Sequence, residues 1–184
     1  MSESVRMWAL IGCFFAVVYV IYAAVDTALS EPLDDTTIRQ IYAQADGLVK
    51  NPRSGNLGEF LEKRLAVHYA RVGNMIKVIP EKPEEITPIA LNKAQSIDYS
   101  VKAASAMAIK TYEHKIIDIK FSSDNTFAYV SSTESTSGTI NPPEGSAKGI
   151  PFNSASACID TLTLVRAVVM FVRSECTNKL AIIQ

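Results

Sequence analysis

The sequence predicts an α+β domain carried on an N-terminal transmembrane helix, with two or three helices followed by a curved antiparallel sheet of four or five strands. Three observations lead there. An uncharged apolar run occupies residues 7–25, apolar residues recur at spacings of three and four between residues 36 and 112, and the period changes to two beyond Tyr112. The chain has 184 residues, enough for one domain with a continuous core once the first segment is set aside.

The run at residues 7–25, MWALIGCFFAVVYVIYAAV, reaches roughly 28 Å as a helix, close to the hydrocarbon thickness of a bilayer. Tyr19 and Tyr22 fall near its outer end, where aromatic rings favour the interface. A cleaved signal peptide is the rival reading, with a shorter apolar core and small residues such as Ala23, Ala24 and Ala28 at the cut. In that case the chain is secreted. Arg6 precedes the run, whereas Asp26, Glu31, Asp34 and Asp35 follow it, so the positive-inside bias places residues 1–6 in the cytoplasm. Residues 26–35 then read as a linker and 36–184 as an exported domain, periplasmic in a two-membrane bacterium or otherwise extracellular.

Asp34 to Thr37 offer capping side chains for a first helix with Ile38, Ile41, Ala45 and Leu48 on one stripe, stopped by Asn51 and Pro52. Leu57, Leu61, Leu65, His68, Val72 and Ile76 form the stripe of a second helix, with His68 on its buried side. PEKPEEIT at residues 80–87 is a connection. Thr87 and Pro88 read as cap and first turn of a long third helix running to Tyr112, against which the sheet packs.

Ile117, Ile119 and Phe121 alternate with Asp118 and Lys120 in a half-exposed strand. A turn at residues 122–125 leads to a strand at 127–133, whose continuation SSTESTSG has little to bury and is expected to fray. Residues 138–152, with three prolines and three glycines, read as a surface loop. Residues 155–165 and 168–176 then form a hairpin turning near Arg166 and Ala167. One register sets Leu164 against Met170, Leu162 against Val172 and Cys158 against Cys176. Directly opposed residues lie within disulfide range, so Cys158 and Cys176 are a candidate bridge; two small buried hydrophobes are the alternative. The third cysteine, Cys13, lies in the apolar run. A turn at Thr177 and Asn178 precedes a last strand from Leu180 to Ile183.

The chemistry-bearing residues are few. With a formal net charge of −1 and no basic stripe, nucleic acid is not an expected partner; membrane lipid and proteins of the membrane or envelope are. His68 and His114 have no ligand-like spacing to each other or to cysteine, which predicts structural histidines and no metal site. No serine lies in a GxSxG elbow, and neither a GxGxxG nor a GK[ST] motif occurs, so no cofactor is expected. Asp118 and Asp160 are the candidate acids. Asp160 shares a face with Cys158 and Leu162, and a carboxyl held in an apolar cavity has a raised pKa suited to acid–base work. The alternative places each at the surface or beside a cation such as Lys120 or Arg173.

The order anchor, helices, then a meander from HKIIDIKFSSDNTFAYVSSTES to CIDTLTLVRAVVMFVRSEC resembles the nuclear transport factor 2-like, or cystatin-like, superfamily over residues 36–183. The resemblance implies a sheet wrapped on a long helix as a cone. Enzymatic members such as ketosteroid isomerase and polyketide cyclases hold an acid and a tyrosine inside it. The inner-membrane scaffold subunit of type IV secretion systems is similar in topology and is not an enzyme, though this chain has a shorter tail and a longer helical lead-in. The expected function is a membrane-anchored, non-catalytic binding or assembly module, with a small cone-shaped enzyme or ligand-binding domain as the alternative.

Overall fold

The structure, a computed structural model, describes residues 31–51, 56–141 and 149–183. The expected membrane span at 7–25 lies outside them, and no described helix is long and apolar enough to cross a membrane. Among the described residues three helices and six strands follow in the order α1 (Asp35–Lys50), α2 (Asn56–Arg64), β1 (Leu65–Val78), β2 (Glu85–Asn92), α3 (Lys93–Ala106), β3 (Met107–Phe121), β4 (Phe127–Ile140), β5 (Ile150–Val165) and β6 (Val168–Ile182). The sheet has six strands, not four or five, in the order β2-β1-β6-β5-β4-β3. It is mixed, because β1 runs parallel to β6 while every other pair is antiparallel.

Helix α1 forms as its sequence predicts. The Asp34 carboxylate accepts from the Thr37 N–H at 2.7 Å, and the Asn51 N–H closes the far end on the Gly47 carbonyl at 3.3 Å. Its stripe of Ile38, Ile41 and Tyr42 is buried against Ala128, Val130, Leu162 and Val169 of the sheet, with Phe60 of α2 completing the core. Fully burying a residue such as Ile38 or Leu162 stabilises the fold by roughly 1.5–3 kcal/mol.

The second expected helix stops at Arg64. Beyond it Leu65, Tyr69, Val72 and Ile76 belong to β1, so the helical spacing of the stripe is coincidental, and β-branched and aromatic residues follow the sheet pairing instead. His68 is exposed on that strand, not buried on a helix. Gly73 is required there. Its φ is +145°, and a Cβ would stand 1.7 Å from the Cys176 carbonyl oxygen. Gly73→Ala is therefore expected to destabilise the protein by about 1–3 kcal/mol, read as a lowered urea midpoint.

The expected helix from Pro88 to Tyr112 is three elements. Pro88 lies in β2, an edge strand, where its missing N–H costs no inner ladder bond. Helix α3 starts five residues later, because Asn92 and Gln95 form a reciprocal capping box, and it ends at Ala106. Strand β3 then begins at Met107, ten residues before the expected strand. A register shift between Ile116 and Asp118 also changes its faces: Ile116 and Ile119 pack on the core, whereas Ile117 is 63% exposed.

The segment SSTESTSG does not fray. It is the second half of β4, paired on both sides through Ile140, with Ser132 and Thr136 buried. The expected loop at 138–152 is correspondingly shorter, as β5 starts at Ile150. The β5–β6 hairpin turns at Arg166 and Ala167, both at positive φ (50° and 63°) as a two-residue primed turn requires. This sets Leu164 against Val169 and Leu162 against Phe171, one residue off the expected pairs. Val172 is an extra residue that restores the register, so that Cys158 faces Cys176 as expected. The two are bonded, with a Cα separation of 4.2 Å. No turn interrupts β6 at Thr177 and Asn178; Asn178 pairs with Ser156, and the strand continues to Ile182.

Candidate functional site

The cross-strand register builds an unusually polar row on the sheet face that α1 covers. Val130, Asp160 and Ser174 stand side by side, next come Ser132, Cys158 and Cys176, then Glu134, Ser156 and Asn178. Asp160 is the buried acid among them, 7% exposed. One carboxylate oxygen accepts from the Tyr42 hydroxyl of α1 at 2.6 Å, and the other accepts from the Ser174 hydroxyl. The Tyr69 hydroxyl of β1 donates in turn to Ser174 at 2.8 Å. One carboxyl group thus joins α1, β5, β6 and β1.

One turn further along α1 lies a second cluster. His114 Nδ1 and the Tyr112 hydroxyl meet the same Asp46 oxygen at 2.9 and 3.0 Å, and Tyr112 also reaches Glu134 at 3.3 Å. The Tyr42 ring links the clusters, 5.3 Å from the His114 ring and 5.6 Å from that of Phe171. Among the described residues no group of three or more His, Cys, Asp or Glu converges on a point that could hold a metal ion.

Burial dominates the electrostatics. It pushes the Asp160 carboxyl above the usual carboxylate range, against the hydrogen bonds from Ser174 and Tyr42 and the more distant Arg71 and His114 charges that pull it down. Burial likewise raises the hydroxyls of Tyr42, Tyr69 and Tyr112, which therefore stay protonated donors. His114 is raised chiefly by its hydrogen bond to Asp46, which outweighs desolvation. A raised folded pKa means that the imidazolium pair stabilises fully below the unfolded value near about 6.5 and is lost as pH rises through the folded value. An NMR titration is expected to place His114 above the ordinary histidine range, and Asp46→Asn to bring it down.

Of the acids singled out in the sequence, Asp160 is in this arrangement and shares its face with Cys158 and Leu162, while Asp118 is not. Asp118 is exposed and lies 3.2 Å from Lys120. Arg173 pairs with Glu175 at 2.7 Å and leaves Asp160 to the hydroxyls. Sequence reasoning missed Tyr42, Asp46 and Ser174 as partners, although the register that pairs Cys158 with Cys176 also sets Ser174 opposite Asp160. Tyr42 does continue the Ile38 stripe by four residues, a signal that a tyrosine would enter the core.

Chemically, Asp160 has the raised pKa of a proton donor, but each of its oxygens already accepts a hydrogen bond from within the fold. Two open clefts of about 500 and 520 Å³ lie elsewhere, one along Leu91, Tyr99, Lys102 and Ala106, the other on the outer sheet face around Ser131, Ala157 and Ile159. Asp160 lines neither.

No protein-family model matches this sequence, and no curated protein matches it. Among solved structures the chain is similar to an NTF2-like protein from Cytophaga hutchinsonii, at 13% identity and a TM-score of 0.47, over 77% of this chain and 95% of that one. It is also similar to a domain of unknown function with a cystatin-like fold from Nostoc punctiforme, at 12% identity and a TM-score of 0.48, over 80% of this chain and 78% of that one. Several of the solved structures it is similar to are described as NTF2-like or cystatin-like. A hexachlorocyclohexane dehydrochlorinase is similar too, at 10% identity and a TM-score of 0.49, over 80% of this chain and 86% of that one. The likeness is one of chain path and says nothing of chemistry.

Proposed function

We propose that this chain is a membrane-anchored, non-catalytic binding or assembly module, with residues 7–25 as the anchor and the α+β domain on the periplasmic or extracellular side. The observation that carries the reading is that each oxygen of the buried Asp160 is already engaged within the fold. A buried acid whose two oxygens are held by Tyr42 and Ser174 acts as a fastener between α1 and the sheet, and substrate would have to break that fastening to reach it. The Cys158–Cys176 bridge supports an oxidising compartment, and the apolar run with Arg6 before it supports the orientation.

Crosslinking in native membranes, followed by purification through a C-terminal tag, tests this. A discrete and reproducible set of membrane or envelope proteins is the expected result; recovery of the chain alone would count against it. A second reading, a small ligand-binding or enzymatic domain using Asp160, draws on the raised pKa of that acid. It requires a ligand that perturbs the Tyr42 and Ser174 signals on titration, with Asp160→Asn abolishing the response.

A further inference from the structure

The start of the domain is fastened to one end of the sheet. The Glu31 N–H donates to the carbonyl of Ala167 in the β5–β6 turn at 2.9 Å, and its carboxylate accepts from the Val169 N–H at 2.9 Å and from Arg64 Nη2 at 2.9 Å. Arg64 also holds the Glu31 carboxyl below the usual carboxylate range. Val25, the last residue of the apolar run, is six residues before Glu31, which limits the distance between them to roughly 20 Å.

The same end of the sheet carries the β3–β4 turn, tied to β5 by the Thr163 hydroxyl on the Thr126 carbonyl at 2.7 Å. It also exposes apolar side chains that the core does not use. Phe121 and Phe127 flank the one turn, Leu164 and Val165 flank the other, and Tyr129 lies one step behind Phe127 on the same face. Leu164 and Tyr129 are each 43% exposed. Charge at this end is mixed: Arg166 sits in one turn, while Asp124 in the other is held by Ser122 and Thr126.

We infer that this end of the domain rests on the lipid surface, with Phe121, Phe127, Leu164 and Val165 inserted at the headgroup level. The inference rests on the anchoring reading above. A tether of that reach brings the two turns to the bilayer, and aromatic and aliphatic side chains gain by leaving water there. Helix α1 then runs away from the membrane, since Tyr42 reaches the Asp160 row and Asp46 the more distant His114 row, and the far end of the sheet is presented to partners. Because both signs of charge are present, apolar contact leads and anionic lipid is not required.

The test uses the full chain in vesicles of phosphatidylcholine, alone or mixed with phosphatidylglycerol. Trp8, its one tryptophan, is replaced by phenylalanine, and single reporters Phe127→Trp, Tyr129→Trp, Leu164→Trp and, at the far end of β5, Ala155→Trp are introduced. Lipids brominated near the headgroup are expected to quench the reporters at 127, 129 and 164 several-fold more than the one at 155, with either lipid. Vesicles that float with the chain but quench all four alike would overturn the inference and leave the anchor standing. A chain that does not float with the vesicles, or whose native mass lacks the residues before Glu31, would overturn the anchor and this inference together.

Discussion

Asp160→Ala is expected to destabilise the domain by about 2–4 kcal/mol, because it leaves the Tyr42 and Ser174 hydroxyls buried without their acceptor and opens a space in the sheet. Asp160→Asn is expected to behave differently. The amide keeps the shape and an acceptor but carries no charge to desolvate. Since burial raises the Asp160 pKa in the folded state, the unfolded chain loses this proton first as pH rises. The contribution of Asp160 is thus complete below the unfolded value near about 4 and declines as pH climbs through the folded value. Urea unfolding followed by circular dichroism from pH 4 to pH 8 checks this. The wild type should lose stability relative to Asp160→Asn over that range, and Asp160→Ala should lie below both.

The second large effect belongs to the Cys158–Cys176 bridge, which closes a separation of 18 residues across the hairpin. Replacing both cysteines with alanine is expected to cost about 2–4 kcal/mol. Added reductant should lower the wild-type unfolding midpoint and leave the double alanine variant unchanged.

What was legible in the sequence divides along physical lines. Local chemistry was readable: the Asp34 cap and stripe of α1 and the turn at Asn125 follow from neighbours within a few residues, and the pairing of Cys158 with Cys176 follows from the register of a short hairpin. The β1 strand was not, because Leu57, Leu61, Leu65 and Val72 satisfy a helical period while the deciding interaction, pairing with β6, lies about a hundred residues away. The region around Pro88 failed for a related reason. Thr87 and Pro88 suit a helix start as well as an edge strand, and only the stronger capping box at Asn92 and Gln95 separates them.

Bulges account for the misplaced faces of β3 and the shifted pairs near the hairpin turn. The shift between Ile116 and Asp118 exchanges the faces of β3, and the extra Val172 moves the hairpin pairs near the turn without moving the cysteines. Within the candidate site, the buried position of Asp160 was readable from its share of the Leu162 face. Ser174 follows from the hairpin register that also pairs the cysteines, whereas Tyr42 comes from α1, 118 residues distant, and no pattern in the sequence brings it there.

The most direct test of the account compares what wild type and Asp160→Asn bring with them when crosslinked in native membranes and purified by a C-terminal tag. The account expects both to recover the same discrete set of membrane or envelope proteins, since Asp160 fastens the fold and asparagine keeps its shape and one of its two acceptors. A folded Asp160→Asn protein that has lost that set, or a wild type that recovers none, would contradict it.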